Sequence, residues 1–417
     1  MRRLRINGRR QLKGLIPISG AKNAVLKLMA AALMAPGESV IHNVPHIQDV
    51  STMIELLKTL GVSVQFEGNT LRLLVGEHIG EEAPHELVRK MRASIQVMGP
   101  LLGRLGRVRV SLPGGCAIGE RPIDFHLKGF RQLGAQIREQ HGYIYAEAKE
   151  LQGVDIQLDY PSVGATENLM MAAALAKGVT HIRNAAREPE IIEVQNFLNQ
   201  MGAKIRGAGT DVIRIEGVDT LYPAEHTVIP DRIEAGTYLV AAAMTGGEVT
   251  VRPVVPQHVS SLIAKFKEIG IETLVEDDSI TVYSTGSYRA VNFQSLPYPG
   301  FPTDLLPQVM AMMTLAKGTS VIRETVYTNR YKHVSELRRM GANIILADRS
   351  AVVQGIPALS GAEVMVPDLR AGAALVLAGL AAHGTTVVED DGHLDRGYDN
   401  LLGKLQAVGA DIALLQQ

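Results

Sequence analysis

Apolar and polar positions alternate along this chain in a pattern that recurs six times. A small-residue, apolar stretch ending at a glycine spans residues 26–37, 95–106, 169–178, 238–247, 309–318 and 375–384. A short β-like run follows each stretch, such as Val40-Ile41, Val108-Arg109-Val110 and Val249-Thr250-Val251. An amphipathic helical pattern comes next and closes near a second glycine: Gly61, Gly134, Gly202, Gly270, Gly341 and Gly409. These second glycines lie roughly 70 residues apart, a period that marks a repeat architecture.

Each unit therefore predicts a buried helix, a strand, an amphipathic helix and then further strands. The first helix is apolar nearly all round, the mark of a buried element. The second keeps a polar face and belongs outside. Glycine is expected to end each helix, because it reaches the left-handed conformation without strain. Six units divide as three plus three. The expectation is an α/β fold of two similar domains, each of three helix-strand-helix-strand repeats around buried parallel helices.

The last unit stops at Ile412-Ala413-Leu414 without a closing strand, while Leu4-Arg5-Ile6 and Leu15-Ile16-Pro17-Ile18 have no unit of their own. Their pattern matches Val212-Ile213-Arg214-Ile215 and Val228-Ile229-Pro230 at the end of the third unit. The expected domains are thus 21–229, and 1–20 together with 230–417. The alternative is a free N-terminal arm. Two crossings between domains, near Gly20 and Pro230, suit a hinge-like closure.

Composition narrows the class. Of 417 residues, 46% are apolar and 20% charged, as in soluble globular proteins. Aromatics make up 4% and Trp is absent, so the helices must pack through Ala, Leu, Met and Val. The formal net charge of -1 gives no global field for nucleic acid or anionic lipid. One cysteine excludes an internal disulfide and a cysteine-based metal cluster; the histidines show no HxH spacing, and the single HxxxH, His42 to His46, is interrupted by Pro45, so no metal site is expected. The basic N-terminus resembles a secretory signal, but Lys22 and Lys27 interrupt its apolar stretch. A cytoplasmic location is expected.

Counting back about 14 residues from each first glycine reaches Lys22, Arg92, Val163-Gly164, Arg232, Thr303-Asp304 and Leu369-Arg370. These residues begin the buried helices, where unpaired N–H groups and the dipole attract anions. If the helices of a domain run parallel, their starts converge. Two such faces across a cleft would receive an anion. Capping and solvation are the plainer reading of any single residue. Cations at these starts, such as Lys22, Arg92 and Arg370, oppose the dipole unless an anion binds.

The segment Pro113-Gly114-Gly115-Cys116-Ala117-Ile118-Gly119-Glu120-Arg121-Pro122 breaks the pattern. Its glycines and prolines prescribe a loop. A cysteine on such a loop, with Arg121 close in sequence, is a candidate reactive thiolate.

At this point the chain resembles the UDP-N-acetylglucosamine 1-carboxyvinyltransferase family of enolpyruvyl transferases. The likeness runs end to end. It is carried by Gly20-Ala21-Lys22-Asn23, Arg92-Ala93-Ser94-Ile95, Leu112-Pro113-Gly114-Gly115-Cys116-Ala117-Ile118-Gly119, Arg121-Pro122-Ile123-Asp124, Ser162-Val163-Gly164-Ala165-Thr166, Asn184-Ala185-Ala186-Arg187-Glu188-Pro189-Glu190, Phe301-Pro302-Thr303-Asp304, Asp368-Leu369-Arg370 and Asp395-Arg396-Gly397-Tyr398. The resemblance implies two inside-out α/β domains of three repeats each. It implies that Lys22, Asn23, Arg121, Arg370 and Arg396 hold phosphoenolpyruvate. Arg92, Arg121, Pro122, Ile123, Asp124, Phe125, Ser162, Val163, Gly164, Asp304 and Val326 would hold the UDP-sugar. Asp304 would take the proton of the sugar 3'-hydroxyl. Cys116 would donate a proton, form an adduct with phosphoenolpyruvate and be alkylated by fosfomycin. Lys22 and Arg396 would assist catalysis. Tyr160 stands where some family members carry Lys.

The chemistry so implied needs an acid, a base and cations for a polyanionic intermediate. It needs no metal or redox cofactor. Two other functions share much of the pattern: a 3-phosphoshikimate 1-carboxyvinyltransferase, which usually reads Gly-Ser-Lys-Ser at the first helix start and lacks the cysteine loop, and a non-catalytic protein that binds UDP-sugars.

Overall fold

The computed structural model describes residues 1–112 and 123–415. Six four-stranded sheets account for all the named strands among them, and all six share one strand order. In each, a short edge strand pairs parallel with the strand that follows the buried helix. The remaining two strands of the unit complete the sheet antiparallel. The third unit shows the plan. The strand Asp155–Gln157 leads into the buried helix Val163–Ala173 and then into the parallel strand Val179–Arg183. The outer helix Pro189–Gln200 follows, and the hairpin Lys204–Arg206 and Val212–Glu216 closes the sheet.

The sixfold repetition of the sequence is the sixfold repetition of this sheet. Most of the edge strands went unread because they are two or three residues long, such as Glu82–Ala83 and Phe293–Gln294. That is too short to show an alternation.

The described chain forms two compact units: residues 20–229, apart from the undescribed segment, and residues 1–19 with 230–415. In the first, the strand Glu225–Thr227 from the end of the unit pairs with Gly37–His42 from its beginning. In the second, both N-terminal strands join sheets far along the chain. Arg2–Asn7 lies between Thr385–Asp390 and Asp411–Leu414, antiparallel to both. Lys13–Pro17 pairs parallel with Glu248–Arg252.

Each unit has its own core, and the buried helices form its centre. In the first unit these helices are Lys22–Ala31, Met98–Leu105 and Val163–Ala173. In the second they are Arg232–Thr245, Leu306–Met313 and Leu369–Ala381. Their small residues permit close approach. Gly99 packs so tightly on the neighbouring helix that a Cβ there would lie 2.2 Å from the Asn168 carbonyl oxygen.

The expectation that glycine ends every helix holds unevenly. The second glycines all adopt positive φ, from 92° at Gly61 to 102° at Gly202, just past the outer helices. Among the buried helices, however, only Met98–Leu105 and Arg232–Thr245 are capped by a left-handed glycine, Gly106 and Gly246. The helix of the first unit stops at Ala31 and passes through a 3-10 turn, so Gly37 instead opens the strand. Glycine there turns the chain into the sheet rather than terminating hydrogen bonding.

Candidate active site

In the unit 20–229, the helix Lys22–Ala31 has no side-chain cap and carries Lys22 at its first position. The sequence reading left this cation to be explained by a bound anion. The structure supplies a protein carboxylate: Lys22 Nζ meets Asp49 Oδ2 at 2.9 Å. Asp49 is buried in the first turn of the helix Gln48–Thr59, where the dipole favours an acid. One helix start therefore balances the other. Asn23 is half-buried, and its carbonyl accepts from the Lys27 ammonium.

Arg92 opens the 3-10 turn Arg92–Val97 that leads into the next buried helix, and it is half-buried. It lies near His126, whose imidazole is pushed down to about 3, by burial first and by the Arg92 charge second. The neutral ring accepts at Nδ1 from Asn168 Nδ2, 3.0 Å away. Ser162 caps the third buried helix, its Oγ accepting from Ala165 N at 3.3 Å. Val163 and Gly164 follow, both half-buried. The Gly164 carbonyl accepts from Gln96 Nε2 at 3.1 Å, and a Cβ on Gly164 would meet the same nitrogen at 3.1 Å. Ile123 is buried at the start of the helix Asp124–Gln132, with Asp124 exposed and Phe125 half-buried. Cys116, Arg121 and Pro122 lie outside the described residues.

One turn deeper, Lys27 and Glu167 on two buried helices meet Gln96, which lies in the 3-10 turn that leads into the third. Lys27 Nζ lies 3.4 Å from Glu167 Oε2, and Gln96 Nε2 donates to the same oxygen at 3.4 Å. They stand four or five residues past Lys22, Arg92 and Val163. Deeper still, Gly103 packs on Ala172 and Arg104 Nη1 donates to the Leu33 carbonyl at 2.7 Å, so the three helices run parallel and in step. Burial pushes the Glu167 carboxyl up to about 7, against the pull of Lys27.

In the unit 1–19 with 230–415, the starts of the buried helices hold a carboxylate between two guanidinium groups. Asp304, in the 3-10 turn Thr303–Leu305, is the carboxylate. Its Oδ1 accepts from Arg330 Nη2 at 2.8 Å, and its Oδ2 from Arg370 Nη2 at 3.1 Å and Nε at 3.3 Å. Both arginine side chains are nearly sealed, at 2% and 4% exposure, whereas Asp304 keeps 24%. The carboxylate is thus fixed by two buried guanidinium groups and stays partly exposed. Such a group can orient a hydroxyl and accept its proton.

Arg370 is held in turn. It stands in the first turn of its helix, whose cap Asp368 accepts from the backbone N–H groups of Arg370 and Ala371, each at 3.0 Å. Its guanidinium lies 5.3 Å from the Tyr398 ring. The Tyr398 hydroxyl meets Thr237 Oγ1 at 3.1 Å and Gln308 Nε2 at 3.2 Å. Arg396, in the 3-10 turn Leu394–Arg396, is half-buried, as is Val326.

The expectation of unpaired N–H groups at all six helix starts needs correcting. Ser162, Asp231 and Asp368 cap three of them with their own side chains. Asp231 takes the N–H groups of Ile233 and Glu234 at 2.8 and 3.0 Å. Side-chain capping is thus absent at the other three: the starts at Lys22, Arg92 and Thr303. Sequence reasoning also missed Asp49, Glu324 and Arg330. Asp49 alone left a signal, as an acid on the apolar face of an amphipathic helix.

Comparison with known proteins accords with this arrangement. Residues 6–405 match the family model of EPSP synthase (3-phosphoshikimate 1-carboxyvinyltransferase). The chain is 58% identical over 401 residues to UDP-N-acetylglucosamine 1-carboxyvinyltransferase 1 of Caldanaerobacter subterraneus subsp. tengcongensis, covering 96% of each chain. It is 56% identical over 409 residues to the protein of the same name from Symbiobacterium thermophilum, covering 97% of this chain and 93% of the relative. Among solved structures, the enolpyruvyl transferase NikO from Streptomyces tendae superposes with a TM-score of 0.90 at 25% identity, covering 100% of this chain and 99% of its own. An EPSP synthase from Acinetobacter baumannii shares the fold at a TM-score of 0.76 and 17% identity, both chains covered in full. The chain belongs to the EPSP synthase (3-phosphoshikimate 1-carboxyvinyltransferase) family, on the branch of the UDP-N-acetylglucosamine 1-carboxyvinyltransferases.

Proposed function

We propose that this chain transfers the enolpyruvyl group of phosphoenolpyruvate to the 3'-hydroxyl of UDP-N-acetylglucosamine and releases phosphate, the first committed step of peptidoglycan synthesis. The observation that carries this reading is the Asp304 carboxylate, held by Arg330 and Arg370 at the buried-helix starts and still partly exposed. Relatives at 58% and 56% identity bear the name of this activity.

In this reading the methylene carbon of phosphoenolpyruvate gains a proton, and Cys116 is the proposed donor. Positive character then develops at the neighbouring carbon. The sugar 3'-oxygen attacks there as Asp304 takes the hydroxyl proton. The tetrahedral adduct next breaks its carbon–oxygen bond to phosphate, and the methyl group returns a proton to restore the double bond. Lys22, Asn23, Arg121, Arg370 and Arg396 are the proposed ligands of the phosphoenolpyruvate anions. Arg92, Arg121, Pro122, Ile123, Asp124, Phe125, Ser162, Val163, Gly164, Asp304 and Val326 are the proposed ligands of the nucleotide sugar. Fixed cations stabilise the intermediate without reorganising at the moment of reaction. The same reading makes the protein a cytoplasmic cell-wall enzyme, needed for cell shape and division, and a fosfomycin target through Cys116. Among the described residues, no helix is long and apolar enough to cross a membrane.

The test is phosphate release from phosphoenolpyruvate with each of two acceptors. Release with UDP-N-acetylglucosamine and none with shikimate 3-phosphate is expected. The opposite preference would reassign the chain to the shikimate reaction, and tight UDP-sugar binding without turnover would make it a binding protein.

A further inference from the structure

The loop that carries Val326 and Arg330 and the turn that carries Asp304 share one buried partner. Glu324 is fully buried at the end of the strand Thr319–Arg323. Its Oε1 accepts from Ser295 Oγ at 2.6 Å, from the backbone N–H of Val326 at 2.6 Å and from that of Tyr327 at 3.1 Å. Its Oε2 accepts from Thr303 Oγ1 at 2.6 Å. Thr303 precedes Asp304 and also accepts from Arg330 Nη1 at 3.3 Å. Arg330 then returns to Asp304. The ring runs Glu324, Thr303, Arg330, Asp304, and back through the chain.

A carboxylate removed from water must be satisfied by hydrogen bonds, and four donors do this here. Two are backbone N–H groups of successive residues, which fixes the loop's path rather than one side chain. Ser295 strengthens the anchor, its Oγ accepting from Thr325 N at 2.8 Å. The fold alone does not call for such a hub. The equivalent position after the strand Val179–Arg183 is Asn184, which spans its turn with a left-handed backbone and a single bond to the Leu158 carbonyl.

We propose that Glu324 is a positioning residue for the reaction: it sets the Val326 loop that receives the nucleotide sugar and, through Thr303 and Arg330, aims the Asp304 carboxylate. This rests on the function proposed above. Glutamine at this position keeps the shape but cannot accept from the Thr303 hydroxyl while also accepting from both loop N–H groups. The two arms of the hub can be separated, because Thr303→Val cuts only the link to Asp304.

The experiment measures steady-state kinetics for both substrates, with hydrogen exchange of the 324–331 segment as a readout independent of turnover. In Glu324→Gln, KM for UDP-N-acetylglucosamine should rise about tenfold or more and kcat should fall, the scale of losing a charge-assisted hydrogen bond. KM for phosphoenolpyruvate should stay within about twofold. The Val326 and Tyr327 amides should exchange faster than in wild type. Thr303→Val should lower kcat while leaving the sugar KM and those amides nearly unchanged. A folded Glu324→Gln variant with wild-type kinetics and exchange would overturn the proposal, as would equal losses for both substrates. If the wild-type protein fails to turn over, the functional reading fails, while unchanged exchange in Glu324→Gln separately refutes the positioning role.

Discussion

Asp304 and Arg370 stand at the starts of two neighbouring buried helices and meet there, Oδ2 to Nη2 at 3.1 Å. The pair places an acid in a first turn, where the dipole favours it, and a guanidinium where the dipole does not. The acid makes the cation's position tolerable, and Arg330 on the other side completes the clamp.

Removing the carboxylate should therefore separate chemistry from binding. Asp304→Ala is expected to lower kcat by about a hundredfold or more, the range of a lost general base. Affinity for the nucleotide sugar, measured by calorimetry, should change far less. Near-normal turnover in this variant would remove Asp304 from its role as base.

The helix packing predicts a stability effect. Gly99 donates its backbone N–H to Asn168 Oδ1 at 2.6 Å, and there is no room between the two helices for a methyl group. Gly99→Ala should destabilise the protein by about 1–3 kcal/mol, the usual scale of overpacking. Intrinsic helix propensity alone would favour alanine by about 1 kcal/mol. A raised denaturation midpoint would show that propensity wins and that the helices can part.

Burial of Glu167 sets a pH dependence. Its carboxyl is raised from the ordinary 4.5 to about 7 by burial, while Lys27 opposes the shift and Glu190 and Glu188 add to it. A raised carboxyl means the folded state holds its proton more tightly. This contribution to stability is present below about 4.5 and is lost as pH rises through about 7. Glu167→Gln cannot titrate, so its stability relative to wild type should climb between those limits, by about 3 kcal/mol if the whole shift is expressed. Urea midpoints at a series of pH values would show the climb. A constant difference across the range would mean that Glu167 titrates normally.

How far the molecule was legible in its sequence follows from where the determinants lie. The buried helices could be read because Leu, Met, Ala and Val fill every face, as in 28–34 and 373–378. The outer glycines could be read because positive φ at Gly61 or Gly409 strongly favours glycine. Lys22, Arg92 and Arg370 stood out as charges in apolar surroundings. Asp49, the partner of Lys22, left only a weak signal, and Arg330 and Glu324 left none: they are ordinary polar residues until the sheet brings their turns beside the helix starts, and no local period records that meeting. In the sequence, the segment around Cys116 interrupts the repeat.

The role assigned to that loop is tested by a substitution that keeps acidity and removes nucleophilicity. Cys116→Asp should retain turnover and resist fosfomycin, since a carboxylic acid can donate a proton yet alkylates poorly. Intact-mass spectra of the treated variant should show no adduct. Continued covalent labelling would place the reactive group elsewhere.

The central claim is that a new bond forms between the sugar 3'-oxygen and the enolpyruvyl carbon. Carbon–proton correlation NMR of the purified product reads that bond directly, after incubation with phosphoenolpyruvate and UDP-N-acetylglucosamine. A coupling between the sugar 3' proton and the quaternary vinyl carbon is the result expected. Unmodified nucleotide sugar, or a vinyl ether at another hydroxyl, would contradict the account.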